Sequence, residues 1–125
     1  MKKSTDNQFK ILVVDDEAIV MMAQSMMFEH LGHKVDKAEN GQKALQMASN
    51  GYDLILVDIG LPDTNGMDVA AKIRSKETSL RKAYIVAVTG YVANEVREQC
   101  AHAGINAVFN KPLNSEAIQK ILASV

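Results

Sequence analysis

The sequence predicts an α/β fold: an open, doubly wound parallel sheet of five strands with five helices on its two faces. Three observations carry that expectation. Strand-like segments, most of them apolar, alternate with stretches of helical spacing five times along the chain. The apolar ones are continuous, as in Leu54-Ile55-Leu56-Val57, instead of alternating apolar with polar, which marks strands buried on both faces. Strands joined by helices through right-handed crossovers lie parallel, with helices covering both sides of the sheet.

Taken in order, Lys10–Val14 (KILVV) is the first strand and ends on Asp15-Asp16-Glu17. The first helix is expected over Ala18–Leu31, with Ile19, Met22, Ala23, Met26 and Met27 as its inward stripe and the methionines as core filler. Gly32 closes it. His33–Ala38 is the second strand, and Asn40-Gly41 opens a helix carrying Ala44, Leu45 and Ala48 that Asn50-Gly51 stops. The third strand is the Leu54–Val57 run, which ends on Asp58 and gives way to the turn segment Leu61-Pro62-Asp63-Thr64-Asn65-Gly66. A helix with Val69, Ala70 and Ile73 facing inward follows, then a polar connection over Ser75–Lys82. Tyr84–Thr89 is the fourth strand and Ala93–Ala103 the fourth helix, with Val96, Cys100 and Ala103 in register and Gly104 after it. Ala107–Asn110 is the fifth strand, leading to Lys111-Pro112. The last helix, Ser115–Ser124, has Ser115 as its expected N-cap and Ile118, Ile121 and Leu122 facing inward.

Composition narrows the function classes. With 125 residues, 47% hydrophobic and 23% charged, the chain has the material for one packed domain. A net charge of −1 gives no electrostatic case for nucleic acid or an anionic membrane surface. The single cysteine, Cys100, cannot form an internal disulfide, suits a cytoplasmic setting, and sits where a core residue is expected. No apolar run approaches a membrane span, so no membrane insertion is expected. MKKSTDNQFK has lysines but no apolar stretch behind them. Residues 1–8 are read as a flexible lead-in, not a signal peptide, and 9–125 as the domain.

The chemistry gathers at one edge. In a doubly wound sheet, ligands bind at the carboxyl ends of the strands. Those ends carry Asp15 and Asp16, Asp58, Thr89 and Lys111. Taken singly, each has an ordinary explanation: acids favour a helix N-terminus, threonine favours strands, and lysine favours the surface. Together they do not. Two carboxylates about 4 Å apart repel by about 4 kcal/mol at an effective dielectric near 20, so three converging acids need cations. Lys111 supplies one, and Mg²⁺, with its preference for oxygen ligands, would supply the rest. No Cys or His belongs to the group, which disfavours zinc. A carboxylate beside a hard cation, a lysine and a hydroxyl can accept a phosphoryl group, with Asp58 as nucleophile.

These motifs, VVDDE, LILVDIGLPDTNG, VTG and NKP in that order and spacing, resemble the receiver domains of two-component response regulators from about Phe9 to Val125. The resemblance implies a flavodoxin-like sheet of order 2-1-3-4-5 and a phosphoacceptor module that takes its phosphate from a histidine kinase or histidine phosphotransfer domain. It implies that Asp58 is phosphorylated and that Asp16 ligates Mg²⁺ directly. Asp15 would act through water, and the Gly60 carbonyl would complete the metal site. It further implies that Thr89 bonds the phosphoryl group on activation, that Lys111 pairs with it, and that Lys111-Pro112 is cis. Such a domain catalyses only its own phosphorylation and dephosphorylation. Two other readings fit less well. An aspartate-nucleophile phosphatase usually has a cap or long insertions, and a chemically dead scaffold would not need the full residue set. The donor histidines of such systems sit on helical bundles, so His30, His33 and His102 are not expected to carry phosphate.

One position departs from the resemblance. Most receivers have Tyr or Phe three residues before the lysine, where this chain has Val108. Phe109 is adjacent but faces the other side of a strand, and Tyr91 lies two past Thr89. A valine there weakens the usual aromatic switch. The expectation is a monomeric phosphate waypoint whose partners dock around Asp58 and the first helix, unless Phe109 or Tyr91 substitutes.

Overall fold

The computed structural model describes residues 8–77 and 82–125. Five strands, β1 (Lys10–Val14), β2 (Lys34–Ala38), β3 (Leu54–Asp58), β4 (Tyr84–Thr89) and β5 (Ala107–Asn110), pair in parallel in the order β2-β1-β3-β4-β5. Five helices connect or follow them: α1 (Ala18–His30), α2 (Gly41–Ala48), α3 (Gly66–Lys76), α4 (Asn94–His102) and α5 (Ser115–Ser124). The flavodoxin-like order inferred from the resemblance is the observed one. Of the polar connection expected over Ser75–Lys82, Ser75 and Lys76 are the last residues of α3, and residues 78–81 lie outside the described residues. The expected lead-in likewise falls outside them except for Gln8, whose side chain donates to the Gly32 carbonyl.

Because successive strand residues point to opposite faces, each central strand feeds two cores. Leu12, Val14, Ile55, Val57, Ile85 and Ala87 pack on one side with α2, α3 and α4 residues Ala44, Val69, Ile73 and Cys100. Ile11, Val13, Leu54, Leu56, Val86 and Val88 pack on the other with Phe28 of α1 and Ile118 and Ile121 of α5. Cys100 is a buried core thiol, as expected, and burial pushes its pKa up.

Two expectations need correction. The inward face of α1 is Gln24, Ser25 and Phe28, with Met21 and Met27 half-buried. Ile19, Met22 and Met26 point outward, 82%, 57% and 58% exposed. The α1 sequence is apolar on more than one face, so spacing alone does not set its rotation. The sheet buries Phe28, the largest ring available to it, and the stripe carrying Ile19, Met22 and Met26 is left in water. The second correction is at α5, whose N-cap is Asn114, not Ser115: the Asn114 side chain accepts from the Ala117 N–H at 2.8 Å. Asparagine also caps α2 and α3, through Asn40 and Asn65.

Candidate phosphoacceptor site

The site is built on the loops that follow β1, β3, β4 and β5. Asp15 is one residue past β1, with its backbone N–H bonded to the Ala38 carbonyl and its carboxylate accepting from the Glu17 N–H at 2.9 Å. It is almost fully buried, whereas Asp16 is exposed. Asp58 ends β3, opposite Val88 of β4, and is buried. One of its oxygens accepts from the Gly60 N–H at 3.1 Å, an Asx-type turn that fixes the carboxylate at the sheet edge.

Lys111 enters from the end of β5, after which the Lys111-Pro112 bond is cis, as the resemblance implied. Its backbone N–H is bonded to the Thr89 carbonyl at 2.8 Å. Its ammonium lies 2.9 Å from Asp15 Oδ2, 3.1 Å from Asp58 Oδ2 and 3.8 Å from Glu17 Oε1. Burial by itself would lower the pKa of this ammonium. The hydrogen bonds to Asp15 and Asp58, and then their charges, outweigh it, so the lysine is held above its ordinary value.

Asp15, Asp16 and Asp58 each offer a carboxylate oxygen within 4.8 Å of the others. All three donors are hard oxygens and their charge exceeds what Lys111 neutralises, a set suited to a Mg²⁺-like ion. Thr89 is at the carboxyl end of β4, but its hydroxyl is turned to the following loop, bonded to the Tyr91 N–H at 3.3 Å and the Tyr91 carbonyl at 3.4 Å. Tyr91 itself is 74% exposed. Val108 pairs with Ala87 and joins the core under α2–α4. Phe109 packs with the opposite core, so it does not share the valine's side of the sheet.

The loop between Asp58 and α3 is tightly tied. The Gly66 N–H donates to the Ile59 carbonyl at 2.8 Å, and a Cβ at Gly66 would run into the Asp58 carbonyl, so only glycine fits the approach. Asp63, read from the sequence only as a turn residue, accepts from the Gly41 and Gln42 N–H groups at 2.9 and 3.0 Å. These bonds hold its carboxyl below the usual range and pin the loop to the N-terminus of α2. Glu17 is a second addition, a third acid within reach of Lys111.

The family model of the response regulator receiver domain matches residues 11–123, nearly all of the chain. The chain belongs to that family. As a receiver domain it is a phosphoacceptor signalling module of two-component systems. It is 36% identical over 119 residues to hybrid signal transduction histidine kinase L of Dictyostelium discoideum, covering 90% of this chain and 7% of the kinase. A cyclic di-GMP phosphodiesterase of Thermotoga maritima is 34% identical over 109 residues, covering 87% of this chain and 28% of that protein. The receiver thus spans less than a third of either relative. Among solved structures, it resembles the receiver domain of the sensor histidine kinase PA1611 from Pseudomonas aeruginosa PAO1, which has magnesium coordinated in its active-site cleft. The two are 30% identical with a TM-score of 0.83, over 94% of this chain and 96% of that one. It also resembles the chain in a co-crystal structure of the Saccharomyces cerevisiae phosphotransfer protein Ypd1 and the receiver domain of Ssk1. That match is 26% identical with a TM-score of 0.84, over 93% of this chain and 87% of that one.

Proposed function

We propose that Asp58 accepts the phosphoryl group of a partner's phosphohistidine and that the domain passes the signal on as a relay waypoint. The observation that carries this reading is the single ammonium of Lys111 bridging Asp15 and Asp58 inside a three-carboxylate cluster. The Asp58 carboxylate attacks phosphorus, the phosphorus–nitrogen bond of the donor breaks, and the imidazole leaves as it takes up a proton. Asp15, Asp16, Asp58 and the Gly60 carbonyl would hold Mg²⁺, which when bound offsets charge on the phosphoryl oxygens. Lys111 keeps its proton and pairs with the incoming phosphoryl group, and Thr89 exchanges its bonds to Tyr91 for one to that group. The domain catalyses only its own phosphorylation and dephosphorylation.

The donor is a histidine kinase or histidine phosphotransfer domain in the cytoplasm, and it docks on the outer face of α1. Ile19, Met22 and Met26 form an apolar stripe that begins two residues after Glu17, at the mouth of the site. An exposed stripe continuous with a reactive centre suits the apolar face of a helical donor. Val108 in place of an aromatic leaves little buried area to differ between states, so phosphorylation does not drive a dimer. Among the described residues no helix is long and apolar enough to cross a membrane.

Incubation with Mg²⁺ and acetyl phosphate should add one phosphate to the wild type, by intact mass, and none to Asp58→Asn. Equal labelling of the two would reject Asp58 as the acceptor.

A further inference from the structure

The outward stripe of α1 contains two thioethers that nothing in the phosphoacceptor chemistry uses. Met22 and Met26 are 57% and 58% exposed. They are four residues apart on one helix face, which places their Cβ atoms about 5–6 Å apart. The other described methionines are half-buried: Met21 and Met27 pack against the core beneath α1 and α5, and Met47 and Met67 against the core under α2–α4. A peroxide in solution therefore meets Met22 and Met26 before it meets the other described methionines.

We infer that Met22 and Met26 form an oxidation-sensitive modification site that gates delivery of phosphate by a protein donor while leaving the acceptor chemistry intact. The inference rests on the docking role proposed for α1. In the modifying step a sulfur lone pair attacks one oxygen of hydrogen peroxide. The O–O bond breaks, a sulfur–oxygen bond forms, and the second oxygen leaves as water after proton transfer. Sulfur is oxidised and peroxide reduced. The product sulfoxide places a polar, strongly hydrogen-bonding group at the centre of the apolar stripe, where docking against an apolar helix would have to desolvate it. Neither thioether is among the groups that pair with Lys111 or that converge with Asp58, so small phosphodonors are indifferent to the change. The sulfoxide is reducible, which makes the modification a reversible gate.

The test uses the whole chain, limited hydrogen peroxide, and two donors: acetyl phosphate, and a phosphorylated histidine phosphotransfer protein chosen because it labels the untreated chain. Peptide mapping should find sulfoxide at Met22 and Met26 first. Transfer from the protein donor should then slow by roughly tenfold, with acetyl phosphate labelling unchanged and methionine sulfoxide reductase restoring transfer. In the Met22→Leu/Met26→Leu variant, whatever its starting rate with the protein donor, peroxide should leave that rate unchanged, because no thioether remains on the stripe to oxidise. Oxidation that begins at Met21, Met27, Met47 or Met67, or an oxidised chain as fast as the untreated one with the protein donor, overturns the inference. Failure of acetyl phosphate to label the untreated chain would instead overturn the phosphoacceptor assignment to which this inference is attached.

Discussion

The two ends of the sheet use the same kinds of side chain to opposite effect. At the amino ends of the strands, Arg74 of α3 meets one carboxylate and a ring of fixed acceptors. Its guanidinium donates to Glu77 at 2.8 Å, to the Gly104 and Ala83 carbonyls at 2.8 and 2.7 Å, and to Asn106 Oδ1 at 2.7 Å. The second Glu77 oxygen accepts from the Ala83 N–H, and Asn106 Oδ1 also accepts from the Ile85 N–H. Charge is matched and the planar fork makes four hydrogen bonds, so α3, β4 and the α4–β5 turn are locked together. At the carboxyl ends, one ammonium is shared among Asp15, Asp58 and more distant Glu17, with Asp16 close by in the same carboxylate cluster. There the negative charge is in excess. A matched cluster holds the fold together; an unmatched one has charge left over for a further cation.

The sharpest way to break this comparison is to remove the cation at each end. Lys111→Ala should stay folded in Mg²⁺, because a metal can supply the missing positive charge, yet lose its response to phosphorylation. Beryllofluoride with Mg²⁺ should shift the amide resonances of Thr89 and Tyr91 in the wild type and leave them still in the variant. A stability loss as large as that of the arginine variant below would make Lys111 a structural residue instead.

Arg74→Ala should do the reverse. Leaving Glu77 and three further acceptors without their partner should cost about 3 kcal/mol in denaturant unfolding, the lower end for a broken, mostly buried pair. Acetyl phosphate labelling of the folded variant should be retained. Loss of labelling in a protein still folded by circular dichroism would mean that the two ends are coupled.

A smaller effect tests the charge excess itself. Asp16→Asn should weaken Mg²⁺ binding about tenfold by calorimetry. In metal-free buffer it should raise stability by up to about 1 kcal/mol, since the acid is exposed and its repulsion screened. A variant less stable than the wild type without metal would show that the cluster is not frustrated.

The smallest effect is a pH dependence at the amino ends. His33 Nδ1 accepts from the Phe9 N–H at 3.1 Å and its ring stacks on Phe9. Burial lowers its pKa from 6.5 in the folded chain. The unfolded chain therefore takes up the proton first, and stability should be complete above the unfolded value and decline as pH falls from it through the lower folded value. Melting temperatures from neutral to mildly acidic pH should fall more for the wild type than for His33→Phe. Parallel curves would remove His33 as the cause.

Local signals determined much of this protein. Continuous apolar runs mark β1, β3 and β4, and Gly32, Gly51 and Gly104 set where α1, α2 and α4 stop, because burial and backbone freedom act within a few residues. Acids and a lysine placed directly after those runs had to converge once the strands were parallel, so Asp15, Asp16, Asp58 and Lys111 were legible together. Tertiary structure decided what depends on partners far apart in the chain. The bond from Asp63 to Gly41 spans 22 residues and those from Arg74 to Gly104 and Asn106 span 30 and 32, and no local spacing announces either. Rotation of α1 was decided the same way. Its own sequence offers apolar residues on both sides, and only the shape of the sheet, which accepts Phe28, determines that Met22 and Met26 face water.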